Sequence, residues 1–124
     1  MNEYTLKAIL DEALLDEYKA RDSYRKILEA FGPVRPFVNI VEAEQTHIDM
    51  LKPLYERHSL SLPPEPDPNR IQAPETLLDA CRQGVEAEIE NVTMYDRLIE
   101  ATEEPDVVEV LKLLQRASQE HHLP

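Results

Sequence analysis

Apolar residues recur at intervals of three and four along most of the chain, the spacing that lines one face of an α-helix. Over residues 3–30 the stripe is Leu6, Ile9, Leu10, Ala13, Leu14, Ala20, Tyr24, Ile27 and Leu28, and Gly32 and Pro33 end it. A second helix is predicted over 35–58 from Ile40, Ala43, Ile48, Leu51 and Leu54. Pro36 falls near its first turn, where a missing N–H is harmless, and Pro53 predicts a kink near its end. The third helix, 75–102, carries Leu77, Leu78, Cys81, Val85, Ile89, Val92, Tyr95, Leu98 and Ile99. Pro105 opens a fourth over 105–122, with Val107, Val110, Leu111, Leu114 and Ala117 inward.

The connections differ in length, and that difference sets the topology. Short turns join the first helix to the second and the third to the fourth. Between the two hairpins, residues 59–74 hold five prolines (Pro63, Pro64, Pro66, Pro68, Pro74). Such a segment is extended, about 3.1 Å per residue, and long enough to run along a helix of about 30 Å. One long crossover between two antiparallel hairpins separates this plan from a simple up-and-down bundle. Composition agrees: 42% of residues are hydrophobic and only 2 are glycine, too few for the turns of a β-sandwich. Residues 1–124 are read as one all-α domain with a single core.

Charge and cysteine content exclude several functions. A net charge of −12 without a basic stripe argues against nucleic acid and against anionic membrane surfaces. No apolar run is long enough to span a bilayer, no signal peptide opens the chain, and the expected compartment is the cytoplasm. Cys81 stands alone, so no disulfide and no Cys-x-x-Cys metal centre can form within the chain.

The chemistry lies in polar residues on apolar faces. At about 100° per residue, Glu17 falls within roughly 20° of the first helix's stripe and Glu88 equally close to the third's. Each precedes a tyrosine by seven: E-Y-K-A-R-D-S-Y ends at Tyr24 and E-I-E-N-V-T-M-Y at Tyr95. On the second helix Glu44 and His47, spaced i, i+3, share one face within roughly 40° of its apolar centre. Singly, each has an ordinary explanation as a hydrogen-bonded boundary residue. Together they converge three carboxylates on one interior, which costs several kcal/mol unless a cation compensates. Arg21, Arg25 and Lys26 are placed off the stripe, which leaves the histidines and a bound metal ion for that task.

The fourth helix offers less. His121 lies on its inward face with Ser118 three residues before it; His122, preceded by Gln119, lies nearly a quarter turn off. Phase selects Ser118 and His121 as counterparts of Glu44 and His47, with Gln119 and His122 as the alternative, and the set is one carboxylate short. The chain ends at Pro124 just after these histidines, which implies a short last helix or a shortened chain.

Across E-Y-K-A-R-D-S-Y, E-A-E-Q-T-H and E-I-E-N-V-T-M-Y the chain resembles the ferritin-like superfamily, and most closely its rubrerythrin-related branch of small prokaryotic domains. The resemblance implies a ferritin-like four-helix bundle with metal ligands at Glu17, Glu44, His47, Glu88 and His121, and with Tyr24, Tyr95 and Ser118 around them. It implies iron as the cofactor, at a di-iron or single-metal centre, with manganese or zinc as substitutes. It further implies oxidation of iron(II) by oxygen or peroxide, or reduction of peroxide. The missing carboxylate suggests the rival role of a degenerate bundle that stores or senses metal, or that serves as a helical interaction module. Pairing of two copies is expected through the outward apolar residues Leu15, Phe37, Val38 and Leu113.

Overall fold

A computed structural model describes residues 5–120, with side chains through Gln119. Four α-helices occupy that span: α1 (Leu6–Phe31), α2 (Phe37–Arg57), α3 (Leu77–Ala101) and α4 (Pro105–Glu120). Local signals fix their ends. The Thr5 hydroxyl accepts from the Ala8 N–H and the Thr76 hydroxyl from the Asp79 N–H, each satisfying an otherwise orphaned donor. At the C-terminus of α1 the Gly32 N–H closes on the Leu28 carbonyl at 2.8 Å. After α2, Ser59 takes the left-handed conformation, and its N–H and that of Leu60 return to the carbonyls of Glu56 and Tyr55. Pro53 lies on the exposed side of α2, and the helix continues past it to Arg57.

The hairpin partners pack most extensively, α1 on α2 and α3 on α4, while α1 also packs on α3 and α2 on α4. Contacts between α1 and α3 run in opposite directions: Tyr24 meets Glu88, Glu17 meets Tyr95, and Glu12 meets Arg97. At the other seam His58, after the C-terminus of α2, bonds Asp106 at the N-terminus of α4. Every adjacent pair is therefore antiparallel, and α2 and α3 lie parallel on opposite corners of the bundle. A chain leaving α2 must travel the length of the bundle to enter α3.

The crossover does so along α1. Lys7 Nζ donates to the Ser61 carbonyl at 2.8 Å, Arg21 pairs with Glu65, and Lys26 Nζ donates to Asn69 at 3.1 Å. Lys7 to Lys26 spans about 28 Å of helix, and Ser61 to Asn69 about 25 Å of extended chain. The two match, so the proline-rich segment is stretched along its groove, with one 3₁₀ turn at Pro68–Arg70.

The core divides into two clusters. The larger gathers Ile9, Leu10 and Leu14 of α1 with Ile48, Leu51, Tyr95, Leu98, Leu111 and Leu114 of the other helices. The smaller holds Tyr24, Ile27, Phe37, Ile40 and Ala80. Three expectations are corrected here. Phe37 does not lean outward; it is fully buried and stacked on Tyr24, their centroids 5.7 Å apart. Arg21 is not off the interior, because the crossover covers a flank of α1 that counting angles on one helix assigns to solvent. On α3, Leu78 and Ile89, both members of the apolar stripe, are 60% and 54% exposed and lie outside the inward face. That face is Ala80, Gly84, Glu88, Asn91, Tyr95 and Leu98, small and polar along its first half.

Candidate metal centre

Between the two core clusters the bundle interior turns polar. Glu17 from α1 and Glu44 and His47 from α2 are all buried, and each offers one ligand atom within 4.8 Å of the others. The α1–α2 hairpin aligns them: Glu17 faces the turn of α2 that carries the i, i+3 pair, and that spacing presents both side chains to it. His47 Nδ1 lies 3.2 Å from Glu17 Oε2 and 3.9 Å from Glu44 Oε1.

Two tyrosines brace the carboxylates reciprocally across the α1–α3 seam. Tyr95 Oη of α3 donates to Glu17 Oε1 at 2.5 Å, and Tyr24 Oη of α1 donates to Glu88 Oε1 at 3.1 Å. The equal seven-residue spacing on two antiparallel helices produces this exchange, since each glutamate stands level with the other helix's tyrosine. Burial and the neighbouring carboxylates push both phenols above their ordinary range, so both remain neutral donors.

Electrostatics of the carboxyl pair follow from crowding. Burial, and then the hydrogen bond to Glu17 and its charge, push Glu44 up to about 12. Burial would raise Glu17 as well, but hydrogen bonds with Glu44, His47 and Tyr95 outweigh it and hold Glu17 below its usual value. In physical terms two crowded, buried carboxyls keep one proton between them. Arg21, although buried, does not serve this pair: its guanidinium is engaged by Asp22, Gln45 and Glu65.

Glu88 is buried and faces the same interior, but it is not part of the tight trio. A second polar chain stands beside it. Asn91 Nδ2 donates to Asp16 Oδ2 at 2.6 Å, and the buried Ser118 hydroxyl donates to Asn91 Oδ1. Burial pushes Asp16 up to about 6 despite the bond from Asn91. Ser118 thus faces inward from α4, at the level of Asn91, and its hydrogen bond goes to an amide. His121 and His122 lie outside the described residues. Asn91 and Asp16 were missed from sequence. The signal for Asn91 was present, since it follows Glu88 by three as His47 follows Glu44; Asp16 sits on the flank beside Glu17 and gives no periodic sign.

A second group of metal-type side chains, His58, Glu104 and Asp106, lies at one end of the bundle and is partly exposed. Burial opposes ionisation of Asp106, but hydrogen bonds from His58, the Val107 N–H and Arg57 together outweigh it and hold its carboxyl below the ordinary value. A carboxylate at a helix N-terminus paired with two basic groups is accounted for as a clasp between α2 and α4.

A family described as an uncharacterized protein domain, DUF2202, matches residues 11–123. No curated protein matches the chain. Among solved structures, a crystal structure of a hypothetical protein from Methanococcus jannaschii DSM 2661 is similar at 23% identity and a TM-score of 0.83. The match covers 98% of this chain and 78% of that one. At that identity the likeness speaks to the helical bundle and not to activity.

Proposed function

We propose that this chain, which belongs to the DUF2202 family, holds a divalent metal ion in the bundle core through Glu17, Glu44 and His47. One observation carries the reading: three ligand atoms of metal-binding type converge within 4.8 Å in the buried interior, where crowding otherwise keeps a proton on the carboxyl pair. A divalent ion displaces that proton and lets both carboxylates ionise. The donor set fits iron, manganese or zinc better than calcium or copper(I), because it combines hard carboxylates with one imidazole. Tyr95 fixes the orientation of Glu17 through its short hydrogen bond, as supporting residues around metal ligands do.

The resemblance to rubrerythrin-related ferritin-like domains supports iron as the resident ion, and oxygen or peroxide as the small molecule that meets it. A bound redox metal would supply electron exchange with that oxidant. Glu88, held by Tyr24 and buried on the same interior, is the further carboxylate that would serve a second ion. A rival reading has an observation of its own. Where a second Glu-x-x-His would complete the site, α4 offers Ser118, bonded to the neutral Asn91. That arrangement favours a single held ion, in storage or sensing, over a symmetric two-metal oxidoreductase.

Metal analysis of protein purified without chelator tests the reading. Near-stoichiometric iron, manganese or zinc is expected in the parent chain, and little in Glu44→Ala/His47→Ala with its helical circular dichroism intact. Undiminished metal in that double variant would place the site elsewhere.

A further inference from the structure

A cavity of about 480 Å³ opens between α1 and α3 and reaches Glu44 and Glu88. That is the liquid volume of about sixteen waters, within the range of pockets that take small organic ligands and far beyond what oxygen or peroxide needs. Small residues line the gap: Ala20 on α1, and Ala80, Gly84 and Ala87 on α3. This is why the inward face of α3 lacks large apolar side chains in its first half. The crossover closes one side with Ile71, Gln72 and Pro74.

The walls differ in character. Ile27, Ile71, Pro74, Ala80 and Met94 supply apolar surface. Deep in the cavity stand Asp16, Glu44 and Glu88, with Glu12, Glu86 and Glu90 also on its lining. Against these six acids the lining has two cations, Lys19 and Arg97, and Arg97 forks onto Glu12. An anion entering this field would be repelled, and an uncharged apolar molecule would leave the carboxylates to be desolvated without compensation. A hydrated metal ion in transit would need no apolar wall.

We propose that this cavity is a binding site for a small organic amine. Its ammonium is met by the carboxylates of Asp16 and Glu88, and its carbon chain by the wall of Ile27, Ile71, Pro74 and Ala80. The proposal does not depend on a metal at Glu17, Glu44 and His47, because the cavity and the sign of its charge are the same without one. Asn91 has a part in it: by donating to one oxygen of Asp16, it fixes the carboxylate on the cavity wall.

The test uses the full chain stripped of metal by chelator, at physiological ionic strength so that loose surface pairing is screened. Isothermal titration compares pentylamine, pentanol and pentanoate, three probes of equal length that differ in charge. Pentylamine is expected to bind, with pentanol and pentanoate weaker by about tenfold or more. Asp16→Asn should weaken pentylamine by about tenfold, the loss of one charge-assisted bond. Two variants that fill the cavity from opposite walls, Ala20→Phe and Ala87→Leu, should each abolish binding. Ala87 is exposed at the rim, so that variant keeps the test alive if the first misfolds. Equal binding of pentanol, or pentylamine binding unaltered in a folded cavity-filling variant, would overturn the proposal, the latter by indicating diffuse attraction to the acidic surface. Absence of pentylamine binding at concentrations up to about 10 mM would overturn it as well.

Discussion

Glu44 is the residue on which the chemistry turns, because its environment forbids a second negative charge beside Glu17. Its folded-state value, about 12, lies far above the ordinary carboxyl value of 4.5. Between those values the folded metal-free chain carries a proton that the unfolded chain has released, so stability falls as pH rises. Asp16 adds the same sign between its ordinary 3.8 and about 6. Urea unfolding of chelator-treated protein should therefore give a lower free energy at pH 8 than at pH 5.5, with a slope of up to about 1.4 kcal/mol per pH unit per proton. Glu44→Gln, which keeps the shape of the protonated group, should flatten that slope and stabilise the metal-free protein at pH 8 by about 1–3 kcal/mol. It should also abolish tight metal binding. A parent stability that rises from pH 5.5 to 8 would refute the shared proton. Tyr95→Phe removes the 2.5 Å donor to Glu17 and should lower metal affinity by roughly 10–100-fold, with about 1–3 kcal/mol lost in stability. Tyr55→Phe is its control. Tyr55 donates to Asp11 at the same distance but away from the trio, so calorimetric metal titration should find its affinity unchanged.

At the scale of helices and turns, two left-handed positions make opposite predictions. Gly32 has φ 85° and ψ −177°, a region that residues with a Cβ rarely enter, so Gly32→Ala should cost about 1–3 kcal/mol although nothing crowds the site. Ser59 follows the C-cap residue His58 of α2 at φ 57°, where glycine fits without strain. Ser59→Gly should therefore raise the urea midpoint, by about 0.5–1 kcal/mol in stability; a lowered midpoint would mean that the serine side chain contributes more than its strain costs. Helices were the most legible part of the sequence. Periodicity placed α1, α2 and α4 within a few residues, because each buries a continuous apolar stripe. It located α3 and, through Glu88, Tyr95 and Leu98, its inward face. It also counted Leu78 and Ile89, which keep helical spacing while exposed, and it passed over Ala80 and Gly84 on the inward side. The first half of α3 lines a cavity with small residues, where a periodicity argument looks for large ones.

Across the whole molecule, the crossover converts sequence order into a bundle with α2 and α3 parallel at opposite corners. Its proline spacing was legible; the ion pairs that seat it were not, since they join Arg21 and Asp22 to Glu65 and Arg70 across more than forty residues. Asp22 is fully buried and accepts from Arg21 and Arg70, so Asp22→Ala should leave the Arg21 guanidinium under-compensated and cost about 3–5 kcal/mol. Limited proteolysis should then cut within residues 59–74 faster than in the parent chain, while equal rates would show that the prolines alone seat the segment. Candidate site residues were legible where they broke an apolar face (Glu17, Glu44, His47, Glu88) and where their spacing repeated (Tyr24, Tyr95). Arg21 was placed off the interior because no single helix reveals what another segment lays over it. Among the described residues, no helix is long and apolar enough to cross a membrane.

The central claim is that one ion sits among Glu17, Glu44 and His47, and anomalous diffraction from crystals grown anaerobically with iron(II) or manganese(II) tests it most directly. The account predicts one strong anomalous peak bonded to a carboxylate oxygen of Glu17, one of Glu44, and His47 Nδ1, with any second peak, near Glu88, weaker. A fully loaded chain with no peak at that trio, or with its strongest peak at His58, Glu104 and Asp106, would contradict it.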